Sequence, residues 1–324
     1  MARWGQKGFC PGMRLEFVAP HGLYFRCKRK GGSIVNYEGQ ICRSPMERGS
    51  FMLPVAVGCS HNRCRFCMLF KHLKYRILPL DLVKAEIDRI IALGGNPKRI
   101  FLGDGNAFSL PTSHLATILG WCCEAFPGLH SVSMDAHVKN ILCKSDAELV
   151  ALQKLKLTDL YLGIECGLED VLRKQEKGNT LAEAEWAIER LHGAGIEYDA
   201  HIMTGICGHG RWAENAAALA DFFNRSKPRR ICNFSLFIHR DAPLYQDVLN
   251  GSFVPADELE SLREELALLQ RLQGFACAYD GLHDFVPAHI RGNLPADQDK
   301  MCRLLAREIR RLEADPSLIK TAIV

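Results

Sequence analysis

Val57-Gly58-Cys59-Ser60-His61-Asn62-Arg63-Cys64-Arg65-Phe66-Cys67-Met68, residues 57–68, is the stretch on which the reading of this chain turns. It follows a short apolar run, Met52 to Val57, that reads as a strand. Three thiols then fall within nine residues of loop. Thiolates are the usual ligands of zinc and of iron–sulfur clusters. A structural zinc site takes four ligands and usually shows a second cysteine pair, yet no second C-x2-C occurs in the sequence. His61 is a candidate fourth ligand, though cramped inside the loop. Three cysteines without a fourth suit a cubane cluster with one iron left open to a substrate or cofactor.

Outward from this loop the pattern alternates. Strand-type runs are expected at 99–102, 131–134, 159–164, 198–203 and 230–237, and helices at 79–93, 115–125, 146–155, 181–193 and 212–223. With the strand before Cys59 this makes six β/α units, which imply a parallel sheet with right-handed crossovers. The fold expected is α/β, a partial (β/α)6 TIM-like barrel with a basic N-terminal extension and a C-terminal helical segment. Residues 1–50 are expected to be a β-rich extension, 51–240 the barrel, and 241–324 a helical extension over its mouth. Within that last part, 256–273 and 297–313 read as helices and 275–295 as irregular. Barrel active sites lie at the C-terminal strand ends. Cys59, Gly103-Asp104-Gly105, Asp135, Glu165 and Thr204-Gly205 all fall there.

Set in order, these segments resemble the radical S-adenosylmethionine (SAM) superfamily. The usual cluster loop there is C-x3-C-x2-C, whereas this chain has C-x4-C-x2-C, with Gly58 before the first cysteine and the aromatic Phe66 before the last. Tyr37-Glu38-Gly39 and Arg43-Ser44-Pro45 upstream resemble an uncharacterised group with that longer spacing. It belongs to the branch sharing its core with Elongator-type, methylthiotransferase-type and nitrogenase-cofactor-type enzymes. The resemblance covers roughly residues 37–300. It implies a [4Fe–4S] cluster on Cys59, Cys64 and Cys67, with SAM on the open iron. Reductive cleavage of SAM would then give a 5′-deoxyadenosyl radical that takes hydrogen from an unidentified substrate.

The same resemblance implies roles at other positions. Phe66 packs near the adenine. Backbone carbonyls of Gly103, Asp104 and Gly105 hold the SAM amino group. Glu165, in Gly163-Ile164-Glu165-Cys166-Gly167, accepts the ribose hydroxyls, and Lys177 pairs with the SAM carboxylate. Gly205, in the 201–208 element, lets the backbone approach adenine. Ser133 and Asp135 are candidates for SAM or substrate contact. His137 reads as a loop histidine, and His201 as either a core histidine or a ligand. Gly281 to Pro295 is similar to the terminal element of the group, so His283, His289 and Arg291 are candidate substrate residues. Arg291 would suit a carboxylate or phosphate.

Bulk properties set limits. The chain has 324 residues and 48% hydrophobic residues, ordinary for a globular α/β protein. No apolar run approaches the roughly 18–20 residues that span a bilayer, and the N-terminus does not read as a secretory leader. A cytoplasmic enzyme is expected. Its 14 cysteines fit a reducing compartment and an anaerobic host. Net charge is +4, and residues 1–50 hold nine Lys or Arg against three Asp or Glu. That basic segment fits nucleic acid or an anionic substrate, or is a solvated hairpin. Arg63, Arg65, Lys71, Lys74 and Arg76 form a basic rim suited to an acidic flavodoxin or ferredoxin as electron donor. Cys10, Cys27 and Cys42 are widely spaced candidates for a second metal site. No cobalamin-binding segment, RNA-binding segment or auxiliary cysteine cluster is visible. Two other readings stand beside the enzyme. A non-catalytic iron–sulfur or zinc module is opposed by Glu165 and Lys177 at family positions. A zinc-dependent barrel hydrolase finds only His201 and Asp135 as candidate ligands.

Overall fold

A strand run buries one face against its sheet neighbours' side chains and the other against the helix that follows it. The computed structural model, which describes residues 43–282, 289–320 and 323, follows this logic along the chain. In order come β1 (Phe51–Pro54), β2 (Ala56–Val57), β3 (Arg76–Ile77), α1 (Leu80–Ala92), β4 (Arg99–Gly103) and α2 (Thr112–Ala125). Next are β5 (Ser131–Ala136), α3 (Val138–Leu142), α4 (Asp146–Lys154), β6 (Leu157–Glu165), α5 (Glu169–Lys174) and α6 (Leu181–Gly193). Then follow β7 (Glu197–Thr204), α7 (Trp212–Ser226), β8 (Arg230–Ser235), α8 (Pro243–Leu249) and α9 (Glu258–Arg271). The last elements are β9 (Cys277–Leu282), β10 (Ile290–Leu294) and α10 (Gln298–Ala314). Three helices begin with reciprocal capping boxes, Ser145 with Glu148, Thr180 with Glu183 and Asp257 with Glu260. Each box satisfies backbone N–H groups that a helix start leaves without partners.

The main sheet has eight strands in the order β1-β4-β5-β6-β7-β8-β9-β10. Its neighbours are parallel up to β9, and β10 returns antiparallel. β1 and β10 are its two edges, so the barrel is partial, as expected. The core lies between sheet and helices and includes Ile100, Leu102, Val132, Leu160, Leu162, Ile202 and Ile231, all essentially inaccessible.

Two segments differ from the sequence reading. The expected strand at Met52 to Val57 splits. Val55 ends the run alongside β4, its N–H donating to the Gly103 carbonyl, and β2 turns away to pair antiparallel with β3. That turn carries the chain into the cysteine loop. Residues 275–295 are also not wholly irregular, because β9 and β10 extend the sheet. The C-terminal region is therefore not a purely helical cover. α9 packs on α7 and α10, outside the sheet, and α8 is the part that touches the cysteine loop, with Leu244 N–H donating to Arg65 O at 2.9 Å. Of the expected N-terminal extension, residues 1–42, with Cys10, Cys27 and Cys42, lie outside the described residues; Pro45–Glu47 form a 3₁₀ turn rather than a strand.

That turn places Glu47 inside the sheet's concave face. Its carboxylate is 1% exposed. Tyr161 OH donates to it at 2.7 Å, Ser133 Oγ at 3.0 Å and Arg99 at 2.9 Å, and the Ser50 hydroxyl donates as well. Burial acts to raise its pKa, but the hydroxyls of Ser50 and Tyr161, the Arg99 charge and Ser133 outweigh it, so the carboxyl lies below its ordinary value. A group of this kind contributes stability above the unfolded pKa, about 4.3 for Glu, which is lost as pH falls through the lower folded value. Glu47→Gln is expected to reduce unfolding free energy at pH 7 by about 1–3 kcal/mol. It should also flatten the acid limb of a urea-unfolding series. Parallel acid limbs for both proteins would contradict this.

Candidate functional site

β2 delivers Gly58 and the cysteine loop to the C-terminal edge of the sheet, where β4 to β7 also end. Cys59, Cys64 and Cys67 are free thiols of intermediate exposure. Burial pushes the Cys64 thiol up to about 11, with Lys177 pulling it down and Glu165, Cys67 and Cys59 pushing it up. Burial also raises Cys67, and Cys59, Lys71 and Glu165 act on it too. These mutual influences group the three sulfurs with one buried cation and one buried anion. Among the described residues, no three His, Cys, Asp or Glu side chains converge as ligands of a single metal ion. A cubane takes each thiolate on a different iron.

Glu165 ends β6 with φ +66°, beside an irregularity in the β6–β7 register. Lys177 follows α5. Its ammonium lies 2.7 Å from Glu165 Oε1, and both residues are buried. Burial alone would lower the Lys177 pKa, but Glu165, Cys64 and Cys59 hold it above the ordinary value. Gly163 lies under this pair, and a Cβ there would collide with both Glu165 Oε1 and Lys177 Nζ. A side chain at this position would therefore displace the pair from its present place.

The other expected residues divide. Phe66 is half-buried and packs against two small apolar clusters, one including Val171, Leu172 and Ile206 and the other Leu236 and Leu244. Gly103, Asp104 and Gly105 follow one another at the end of β4. The Gly103 carbonyl accepts Val55 N–H and the Asp104 carbonyl accepts Asn106 N–H. Asp135 belongs to the same neighbourhood. Burial and the Asp104 charge raise its carboxyl to about 7, against Lys177, with Glu47 adding to the rise. Ser133 does not join it. One pleat below, its hydroxyl is held by Glu47. Gly205 N–H donates to Glu264 Oε2 at 3.0 Å. His201 lies between Tyr161 and Phe234, with ring centroids 5.3 Å from each, and burial lowers its pKa.

Of the expected substrate residues, the two that are described lie at the surface. Arg291 on β10 is exposed, and its Nε donates to Asp280 on β9 at 2.7 Å. His289 is exposed just before β10, and His283 lies outside the described residues. In the basic rim, Arg65 is forked onto Asp247 and Lys71 donates to the Asn62 carbonyl. Arg63, Lys74 and Arg76 are exposed.

Several residues at the site carried no sequence signal. Asn215 on α7 accepts Gly167 N–H at 2.7 Å and donates to Glu264 at 2.6 Å. The chain Gly167–Asn215–Glu264–Gly205 thus ties the ends of β6 and β7 through one buried amide and one buried carboxyl. Burial raises Glu264 to about 8, although Gly205 N–H and Asn215 oppose it. Gln175 is 1% exposed and neither atom of its amide has a partner. His201 Nε2 is likewise buried without one. Soft thiolates, a glycine-lined approach and polar atoms awaiting partners together fit a cluster with a polar nucleoside beside it.

The sequence matches a family model described as the radical SAM superfamily over residues 53–220. No curated protein sequence matches it. Among solved structures, it resembles the coproporphyrinogen III oxidase HemN from Escherichia coli at 15% identity, with TM-score 0.54, covering 68% of this chain and 52% of that one. It also resembles Elp3 from the archaeon Methanocaldococcus infernus, at 14% identity and TM-score 0.51, covering 81% and 63%. The methyltransferase TsrM from Kitasatospora setae, solved with cobalamin and a [4Fe–4S] cluster, is similar at 16% identity and TM-score 0.51, covering 62% and 39%. At these identities the likeness is one of fold. The chain spans about half the length of HemN. No helix among the described residues is long and apolar enough to cross a membrane.

The raised Asp135 carboxyl has a measurable consequence. Between its unfolded pKa, about 3.9, and its folded value of about 7 the folded state binds the extra proton, so this group's contribution falls as pH rises. Asp135→Asn is expected to melt higher than wild type at pH 8, with the offset shrinking towards pH 4. An offset independent of pH would show that the group is not titrating as described.

Proposed function

Since the chain belongs to the radical SAM superfamily, whose enzymes use a [4Fe–4S] cluster and SAM, we propose that Cys59, Cys64 and Cys67 hold the cluster and leave one iron for the amino and carboxyl groups of SAM. Reduced by a one-electron donor, the bound cluster would supply an electron to the sulfonium of SAM and break its carbon–sulfur bond, giving methionine and a 5′-deoxyadenosyl radical able to remove hydrogen from the substrate.

The chain's own residues bind, orient and shield. Lys177 offers an ammonium to the SAM carboxylate, and Glu165 offers two acceptor oxygens to a ribose diol. They now face each other at 2.7 Å. Because both are already desolvated, neither has to leave water when a ligand arrives. Gly163 keeps the floor beneath them free of side chain. Phe66 supplies an apolar face for adenine, and Gly205, at φ +83°, turns the backbone at the β7 end beside it. The Asn215–Glu264 link fixes the β6 and β7 ends against each other, so ribose and base contacts hold a constant spacing. Gly103 to Gly105 offer backbone acceptors for the amino group. Asp135 and His201 face the same space from β5 and β7 and suit substrate contacts.

The observation that carries this reading is the grouping of three thiols with the buried Lys177–Glu165 pair. An acidic flavodoxin or ferredoxin is the proposed electron donor, meeting the exposed Arg63, Lys74 and Arg76. The chain is divided, in this reading, into the barrel of residues 51–240 and flanking segments, with α8 closing over the cysteine loop.

Anaerobic reconstitution with iron and sulfide tests it. Wild type given dithionite and SAM is expected to form 5′-deoxyadenosine, and Cys64→Ala is expected to form none. Equal product from both would remove Cys64 from the ligand set.

A further inference from the structure

The first spacer of the cysteine loop, Ser60-His61-Asn62-Arg63, is one residue longer than the usual one. Ligation by three cysteines does not call for that length. Three of the spacer's side chains, those of Ser60, His61 and Asn62, have definite partners. His61 stacks on His137, with ring centroids 4.5 Å apart and planes at 25°. Each ring then reaches one carbonyl of the same short segment. His61 Nε2 lies 2.8 Å from Glu176 O, and His137 Nε2 lies 2.8 Å from Lys177 O.

The tautomers follow from the partners. His137 Nδ1 accepts the backbone N–H of Lys139 at 3.2 Å, so its proton is on Nε2 and is donated to Lys177 O. His61 meets a carbonyl as well, so its Nε2 also carries the donated proton. With Nε2 engaged in this way, His61 is aimed at backbone and not at a metal. Gly178, at φ +83°, presents its bare Cα to the His61 ring, and a Cβ there would strike the ring. The segment is held elsewhere too. Arg65 N–H donates to Gln175 O at 3.0 Å. Asn106 joins the other side, donating to Ser60 Oγ at 2.7 Å and to Asn140 at 2.8 Å while accepting His137 N–H at 3.1 Å. Four loops, after β2, β4, β5 and α5, are thereby tied around Lys177.

A lysine side chain has several rotatable bonds, and ordering it costs entropy. Fixing its backbone removes part of that cost before a ligand arrives. We propose that His61 is a positioning residue: with His137 it clamps the backbone of residues 176–178 and so aims the Lys177 ammonium at the bound SAM. This rests on the reading of Lys177 as the partner of the SAM carboxylate.

The test uses His61→Phe, which keeps an aromatic ring against His137 and Gly178 and has no N–H to donate. Cluster-reconstituted proteins are assayed for iron and sulfide, then titrated anaerobically with SAM, without reductant, by calorimetry. His61→Phe is expected to retain wild-type iron and sulfide and to bind SAM about tenfold more weakly, the upper end of what one hydrogen bond contributes. His61→Gln, whose amide donates again, should recover most of that loss. In a Lys177→Ala background, His61→Phe should change affinity no further. Unchanged SAM affinity in His61→Phe, loss of its iron, or an undiminished effect without Lys177 would each overturn the proposal. Lys177→Ala binding SAM as tightly as wild type would instead sink the assignment of Lys177, on which the clamp depends.

Discussion

A buried ammonium is costly unless an anion and a fixed geometry compensate it. Lys177 meets that condition by lying 2.7 Å from Glu165 and beside Cys64, whose thiol it pulls down against burial. Neither partner is stable alone in that place, so each requires the other's backbone to be accurately set. Much of the surrounding structure follows from this requirement. Gly163 leaves room below the pair, φ +66° at Glu165 turns its carboxylate inward, and the bracket at 176–178 returns the lysine from the far side of α5.

The sheet supports this from two directions. Below the site, Glu47 gathers Ser133, Tyr161 and Arg99, and Arg229 bridges Asp159 and Asp199. These charges occupy the N-terminal half of the concave face and leave the C-terminal edge for chemistry. Beside the site, Asn215 and Glu264 fasten the strand ends that carry the proposed ribose and adenine contacts. A radical enzyme needs such stiffness, because a reactive intermediate attacks whatever group drifts within reach.

The sequence disclosed those parts whose physics is local or periodic. Six strand–helix units were readable because apolar runs such as those at β4 and β7 alternate with amphipathic stretches. The cysteine loop was readable because ligand spacing is short-range. β9 and β10 were not, since Asp280, Gly281 and Arg291 interrupt the apolar alternation, and it is the cross-strand Asp280–Arg291 pair that makes them compatible with a strand. That same pairing explains why Arg291 is not a free anion site. Ser133 and Asp135 share a strand face and looked equivalent, but Glu47, from 86 residues away, takes one of them. Asn215 and Glu264 look like ordinary polar residues on amphipathic helices, and nothing in their spacing reveals that both are buried. His61 was visible, but as a cramped ligand; its stacking on His137 depends on loops that meet only in the fold.

The central claim is that three thiolates hold a cubane whose remaining iron is open to SAM. Mössbauer spectra of protein reconstituted with ⁵⁷Fe, recorded with and without SAM, address it directly. One iron site should change its isomer shift and quadrupole splitting when SAM is added, while the cysteine-bound irons stay as they were. Identical spectra in the two samples, with iron fully incorporated, would contradict it.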